Sequence, residues 1–168
     1  MMWESSSENN AQMIIRDRQG REYRLQVDAD EDQYFTAKLL YRNREVGRLQ
    51  CVLYPPDKLV IGDILIRDDV IHAPEHLGAA LLRRLVEPKP IDYRRRGLGT
   101  HLLQFAIKKA RQRGIKRISG SLTQKDINNN PNLVKWYKKH GFEILPPSQE
   151  NIENAVLGIS LDLGEKLN

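Results

Sequence analysis

Arg94-Arg95-Arg96-Gly97-Leu98-Gly99-Thr100 puts two glycines two positions apart at the start of an amphipathic segment. Without Cβ atoms the backbone there can come close to a ligand. A helix starting at this point has first-turn N–H groups with no intrahelical acceptor, and its dipole adds partial positive charge. With three arginines just upstream, the chemistry is anion binding, and a diphosphate suits it. Two common phosphate-binding loops do not fit. A dinucleotide loop needs a third glycine near position 102 and an acid about twenty residues on; position 102 is Leu, and Ile118-Ser119-Gly120 carries no acid. The loop of nucleotide hydrolases ends in Gly-Lys-Ser/Thr, which is absent.

A second constellation follows at Asn130-Pro131-Asn132-Leu133-Val134-Lys135-Trp136-Tyr137-Lys138-Lys139-His140-Gly141-Phe142. Asn130 before Pro131 reads as an N-cap and first-turn pair for a helix running to Lys139, which Gly141 ends. Asn130 can cap that helix, contact a ligand, or do both. Tyr137 can stack over Leu133 and Val134 as a core aromatic or carry a reactive hydroxyl. Trp136 reads as packing.

Together the two motifs resemble the signature of the GCN5-related N-acetyltransferase (GNAT) superfamily. The first matches that family's loop pattern, Arg or Gln, two residues, Gly, one residue, Gly or Ala, at Arg94, Gly97 and Gly99, with Tyr93 before it. The second matches the Asn followed by a helix ending in Tyr-x-x-x-Gly-Phe. The likeness covers roughly residues 45–163. It implies an α+β fold, a mixed and mostly antiparallel twisted sheet of about seven strands with helices, in which the strands Leu59–Arg67 and Ile115–Leu122 splay apart. It also implies acetyl-coenzyme A as cofactor, bound by Ile66, Arg67, Arg94, Arg95, Arg96, Gly97, Leu98, Gly99, Thr100 and Asn130. The activity implied is transfer of an acetyl group to an amine by direct attack in a ternary complex. Tyr137 then protonates the leaving thiolate, and the backbone N–H of Ile66 or Arg67 stabilises the developing oxyanion. For the general base, Asp63, Asp68, Asp69 and Glu75 are candidates, with Asp68 preferred for its place near the strand's end.

The elements that must position these groups are legible from periodicity. Alternation predicts strands over Gln12–Arg18, Arg21–Val27, Tyr34–Tyr41 and Glu45–Tyr54, with turns at Gln19-Gly20 and Arg42-Asn43-Arg44. The more uniformly apolar Leu59–Arg67 suits a central strand. Leu98, Leu102, Ala106 and Ala110 recur every four residues, predicting a helix that stops at Gly114. Ile115–Leu122, Phe142–Leu145 and Ala155–Leu163 complete the strands. Leu77, Leu81, Leu82 and Leu85 suit one face of a helix over about 75–86; a strand over 79–86 is the alternative.

Two features depart from the family pattern. The link at 28–33 is too short for the two helices that usually shape the acceptor pocket, and residues 69–92 form an atypical insert before the glycine turn. The expectation is that this insert covers the acceptor side.

At 168 residues the chain suits one domain, 12–168, after a loose tail at 1–11. The polar, acidic start lacks the pattern of a signal peptide, and no apolar run is long enough to span a bilayer. Cys51 is the sole cysteine; lying in an apolar run, it reads as a buried core thiol and fits a reducing, cytoplasmic setting. His72, His76, His101 and His140 show no metal-site spacing, and surface or capping roles are expected for them. The net charge is +5, and no Asp or Glu occurs from Tyr93 through Lys125, which predicts a positive field and an anionic partner. Besides the enzyme, two functions compete: an acyl-CoA-binding sensor without turnover, and a basic nucleic-acid-binding protein. The last is disfavoured because the basic stretch lacks interleaved aromatics and overlaps the glycine turn. The acceptor amine is not identified, and a homodimer is left open.

Overall fold

The structure is a computed structural model; it describes residues 12–54, 56–147 and 154–164. The tail expected at 1–11 lies outside them. The elements are β1 (Met13–Arg16), β2 (Glu22–Asp30), β3 (Tyr34–Tyr41), β4 (Arg44–Tyr54), β5 (Lys58–Ile66), α1 (Leu77–Leu82), α2 (Leu98–Gln112), β6 (Arg117–Thr123), α3 (Gln124–Asn129), α4 (Leu133–Lys139), β7 (Glu143–Leu145) and β8 (Ala155–Asp162). Among the described residues the sheet has eight strands, close to the seven or so expected, in the order β1-β2-β3-β4-β5-β6-β8-β7. Every pairing is antiparallel except β5–β6.

Local chemistry accounts for the turns. Arg42 and Asn43 both take positive φ, 48° and 60°, so the two-residue β3–β4 turn has the backbone twist that suits a hairpin. The β1–β2 turn is held by Asp17, whose Oδ1 accepts from the N–H groups of Gln19 and Arg21 and whose Oδ2 accepts from the Tyr23 hydroxyl at 2.8 Å.

Alternation along β2, β3 and β4 puts Tyr23, Leu25, Phe35, Ala37, Leu39, Leu49, Cys51 and Leu53 on one buried face. The α2 residues Leu98, Leu102, Leu103, Phe105, Ala106 and Ala110 are buried with them in one core, which also takes in Leu59, Ile118, Tyr137 and Ile159. Each fully buried Leu contributes about 1.5–3 kcal/mol. The basic end of α2 is tied to the β2–β3 hairpin, with Lys109 on Asp30 at 2.5 Å and Arg113 on Asp30 and the Glu31 carbonyl.

Parallel pairing of β5 with β6 runs only from Lys58↔Arg117 to Ile61↔Gly120. Immediately beyond it, Gly62 is the extra residue of a bulge, because Cys51 faces Ile61 while Gln50 faces Asp63. From there β5 follows β4 to Ile66 and β6 follows β8 to Thr123. The two central strands therefore part, as expected.

The sequence reading needs three corrections. A helix not expected, α3, follows β6; its signal is Thr123-x-x-Asp126, a capping box in which both reciprocal bonds form. Asn130 closes α3 instead of opening α4, and Asn132 is the α4 N-cap. Pro131 disfavours helical backbone at Asn130, which sits at φ −138°, ψ 89°. Third, the segment around 75–86 is helical but shorter, and none of its residues is buried. Leu77 and Leu85 are 81% and 83% exposed. The insert is instead anchored by the Val70–Ile91 bridge, by Arg42–Glu75 at 2.5 Å, and by His72, whose ring meets Tyr41 and Tyr93 edge-on.

Candidate active site

Two backbone bonds bring the glycine turn to the splay. Arg67 N–H donates to the Val46 carbonyl at 2.9 Å, and the Arg67 carbonyl accepts from Tyr93 N–H at 2.9 Å. The residue just before the arginines is thereby fixed to the end of β5. From the outer side, Arg18 N–H donates to the Arg96 carbonyl at 3.1 Å. Gly97 takes φ 87°, a left-handed value that strains any other residue. The first α2 backbone bond runs from His101 N–H to the Gly97 carbonyl. The N–H groups of Leu98, Gly99 and Thr100 thus precede any intrahelical acceptor. A methyl placed on Gly99 would lie 3.9 Å from Ile66 and 3.7 Å from Trp136; the helix start sits between β5 and α4.

Of the three arginines expected to face an anion, two are occupied. Arg94 holds Asp92 at 2.8 Å and Asp68 at 3.1 Å. Arg96 donates to the Asp92 carbonyl and stacks over Tyr93, 4.9 Å from the ring centre. Arg95, exposed at φ 62°, has no carboxylate within 4.0 Å among the described residues. Nearby acids compete for guanidinium groups, so charge counted along the sequence overstates the free charge at the turn. Leu98 is buried in the core, leaving only its backbone for a ligand.

The Thr100 hydroxyl is engaged as well. It accepts from Trp136 Nε1 at 3.1 Å and lies 3.5 Å from His140 Nε2. Trp136 and His140 thus tie α4 to the first turn of α2, a role the sequence reading missed; their i, i+4 spacing on α4 was its only trace. Asn130 is exposed, and its Oδ1 accepts from Asn132 N–H at 3.2 Å.

Tyr137 is 5% exposed, its ring against Trp136 and Phe142. Burial, followed by the charges of Asp126, Cys51 and Asp63, pushes its hydroxyl well above the ordinary phenol range. The group therefore keeps its proton at neutral pH.

Of the proposed oxyanion donors, Arg67 N–H is spent on Val46. The same bond makes Ile66–Gly47 a non-hydrogen-bonded pair. The N–H of Ile66 consequently points away from β4, toward the open side of the splay.

The four carboxylates considered as base also separate. Asp68 is paired with Arg94, Asp69 with Arg67 at 3.3 Å, and Glu75 with Arg42. Asp63, directly after the bulge, is half-buried and makes no ion pair within 4.0 Å among the described residues. Burial raises its carboxyl above the usual range; Arg48 opposes that and Asp126 adds to it. Asp68, preferred for its place near the strand's end, is thus ion-paired, whereas Asp63 is the one of the four without an ion partner among the described residues. Cys51 is buried and burial pushes its thiol up, so it does not present a nucleophilic thiolate. Among the described residues no group of three or more His, Cys, Asp or Glu could hold a metal. His76 caps α1, and His101 bonds the Arg16 carbonyl at 2.9 Å.

Residues 91–142, from the end of the insert through Phe142, match the model of the Acetyltransferase (GNAT) family. The chain has the GNAT fold. Similar solved structures include the GNAT domain of PAT from S. lividans, with TM-score 0.62 at 13% identity over 90% of this chain and 97% of that one. An acetyltransferase of the GNAT family from Staphylococcus aureus gives 0.54 at 14% identity, over 77% and 68%. The PaiA N-acetyltransferase of Thermoplasma acidophilum, solved with coenzyme A, gives 0.51 at 11% identity; the match covers 77% of this chain and 61% of that one. No curated protein sequence matches the chain. Among the described residues no helix is long and apolar enough to cross a membrane.

Proposed function

We propose that this GNAT-fold protein is an acetyl-coenzyme A-dependent N-acetyltransferase. The observation that carries the reading is the open first turn of α2, held beside the parting of β5 and β6 with a protonated phenol nearby. The residues suit the cofactor. The N–H groups of Leu98, Gly99 and Thr100 and the side chain of Arg95 take the diphosphate. The parting of β5 and β6 beyond the Ile61–Gly120 pair would admit the pantetheine arm, and the side-chain NH2 of Asn130 would serve the same ligand. Bound there, the cofactor supplies the thioester.

Asp63 accepts a proton from the amine, leaving a lone pair to attack the thioester carbonyl carbon. Ile66 N–H donates to the carbonyl oxygen as charge gathers on it. As the C–N bond forms and the C–S bond breaks, Tyr137 gives its proton to the departing sulfur. The protons balance: the ammonium form of the acceptor gives one proton to Asp63, which passes it to solvent, and its nitrogen loses a second as the amide forms. That second proton returns Tyr137 to its protonated state through solvent, after the Tyr137 proton has gone to sulfur. Cys51 takes no part, and the transfer is direct.

The test is calorimetric titration of coenzyme A, followed by thiol release from acetyl-CoA with a panel of amines. Saturable binding with amine-dependent thiol release supports the enzyme. Binding without release on any amine leaves a non-catalytic acyl-CoA sensor. Absence of binding removes both.

A further inference from the structure

At the end of β5 opposite the bulge, a cavity of about 440 Å³ opens between the sheet and the insert. Its charged lining is Arg44, Glu45, Arg67, Asp69, His72 and Arg83. The charges do not cancel in pairs. Arg67 and Asp69 neutralise each other at 3.3 Å. Glu45 is approached from the sheet by Arg48 at 3.9 Å and Lys38 at 4.0 Å, and its Oε1 is shut off from solvent. Arg44 has no carboxylate within 4.0 Å among the described residues. Arg83 has none either; its guanidinium donates to the His72 carbonyl. Two guanidinium groups, one from β4 and one from the insert, therefore line one cavity with no carboxylate within 4.0 Å of either among the described residues, and the lining as a whole carries three arginines against the two carboxylates of Glu45 and Asp69. The neighbourhood is positive in another respect: burial, then the charges of Arg42, Arg44 and Arg21, lowers the His72 imidazole's affinity for a proton, while Glu75 opposes them.

We propose that this cavity binds an anionic group, a carboxylate or a phosphate monoester, on the acceptor whose amine is acetylated. Paired guanidinium forks suit either group. The placement suits an acceptor, because Arg67 adjoins Ile66 on the strand that forms one arm of the splay. Its role as an acceptor subsite rests on the acyltransferase reading, whereas the anion site itself does not. Residues 69–92 would then contribute to acceptor recognition through Arg83 and His72 and not through the exposed leucines of α1.

Two measurements test this. Inorganic phosphate and, separately, malonate are titrated into the full chain with and without saturating coenzyme A, followed by amide chemical shifts. Saturable shifts around Arg44 and Ala73 that persist with coenzyme A, and weaken at least tenfold in Arg44→Gln and in Arg83→Gln, are the expected result. Arg44 is exposed and makes no ion pair among the described residues, so Arg44→Gln is not expected to unfold the protein. No saturable shift, displacement by coenzyme A, or wild-type affinity in either variant overturns the site. Second, thiol release is compared for matched amines: an amino acid against its amide, and an amine phosphate ester against its alcohol. The anionic member is expected to show at least tenfold higher kcat/KM, and Arg44→Gln to abolish that preference without changing the neutral member. Whichever pair shows the preference separates carboxylate from phosphate. Equal use of both members, or a preference that survives Arg44→Gln, overturns the acceptor role. Failure of thiol release with every amine, alongside intact anion binding, would fault the acyltransferase reading and leave the anion site standing.

Discussion

The Trp136 indole donates to the Thr100 hydroxyl at 3.1 Å, joining the helix that carries Tyr137 to the helix start proposed to hold the cofactor. Neither residue is proposed to react, yet the bond fixes the helix of Tyr137 against that helix start. Trp136→Phe keeps the ring and loses the bond. It should cost about 1 kcal/mol of stability and lower turnover through misplacement of Tyr137. Urea melts and steady-state kinetics measure the two effects; full turnover in the variant would show that the bond does not position α4.

Tyr137→Phe removes the proposed proton donor and leaves the buried ring. Turnover should fall by about 10²–10⁴-fold, with coenzyme A affinity unchanged in calorimetry. Because burial holds the hydroxyl protonated, wild-type turnover should not decline through the ordinary phenol range.

Asp63 bears on activity and stability with opposite sign. Its carboxyl is raised by burial, so the folded state binds the proton more tightly than the unfolded chain does. Its ionisation therefore destabilises the fold as pH rises from the unfolded value through the folded one. Asp63→Asn should melt higher than wild type at pH 7 while losing most activity and the acid limb of the pH–rate profile. A variant with an unchanged acid limb would exclude Asp63 as the base.

Asp17 has the reverse sign. Burial alone would raise its carboxyl, but the Tyr23 hydroxyl and the N–H groups of Arg21 and Gln19 outweigh that and hold it below the usual carboxylate range. Its contribution is present above the unfolded value and is lost as pH falls through the folded one. Asp17→Asn should cost about 1–3 kcal/mol at pH 7, and the difference from wild type should shrink on acidification below about pH 4. Equal losses at pH 7 and pH 3 in denaturant titrations would refute this.

The two glycines of the turn should separate. Gly97→Ala forces a side chain to φ 87° and should destabilise by about 1–2 kcal/mol. Gly99→Ala meets only ordinary contacts with Trp136 and Ile66 and should be neutral or stabilising by up to about 1 kcal/mol. Thermal melts of the two variants decide it.

Much of the fold around the candidate site was readable along the chain because its signals are local. The glycine pair before an amphipathic helix, the Tyr-x-x-x-Gly-Phe ending, the alternation of β1 to β4 and the apolar run of β5 each depend on residues within a few positions of one another. So did the capping box at Thr123 and Asp126, which was legible and overlooked.

What the sequence could not determine depends on distant partners. Periodicity made α1 a helix, but only tertiary structure decides whether a helical face has anything to pack against, and here Leu77, Leu81 and Leu85 meet solvent. Composition made the glycine turn basic, yet Asp68 and Asp92 claim Arg94 and leave Arg95. Residue type nominated four carboxylates, with Asp68 preferred only for its position; in the fold that residue, Asp69 and Glu75 found guanidinium partners, and burial distinguished Asp63. Patterning follows from the chain's own covalent order, whereas the state of a charge follows from which opposite charge and how much water the folded chain brings to it.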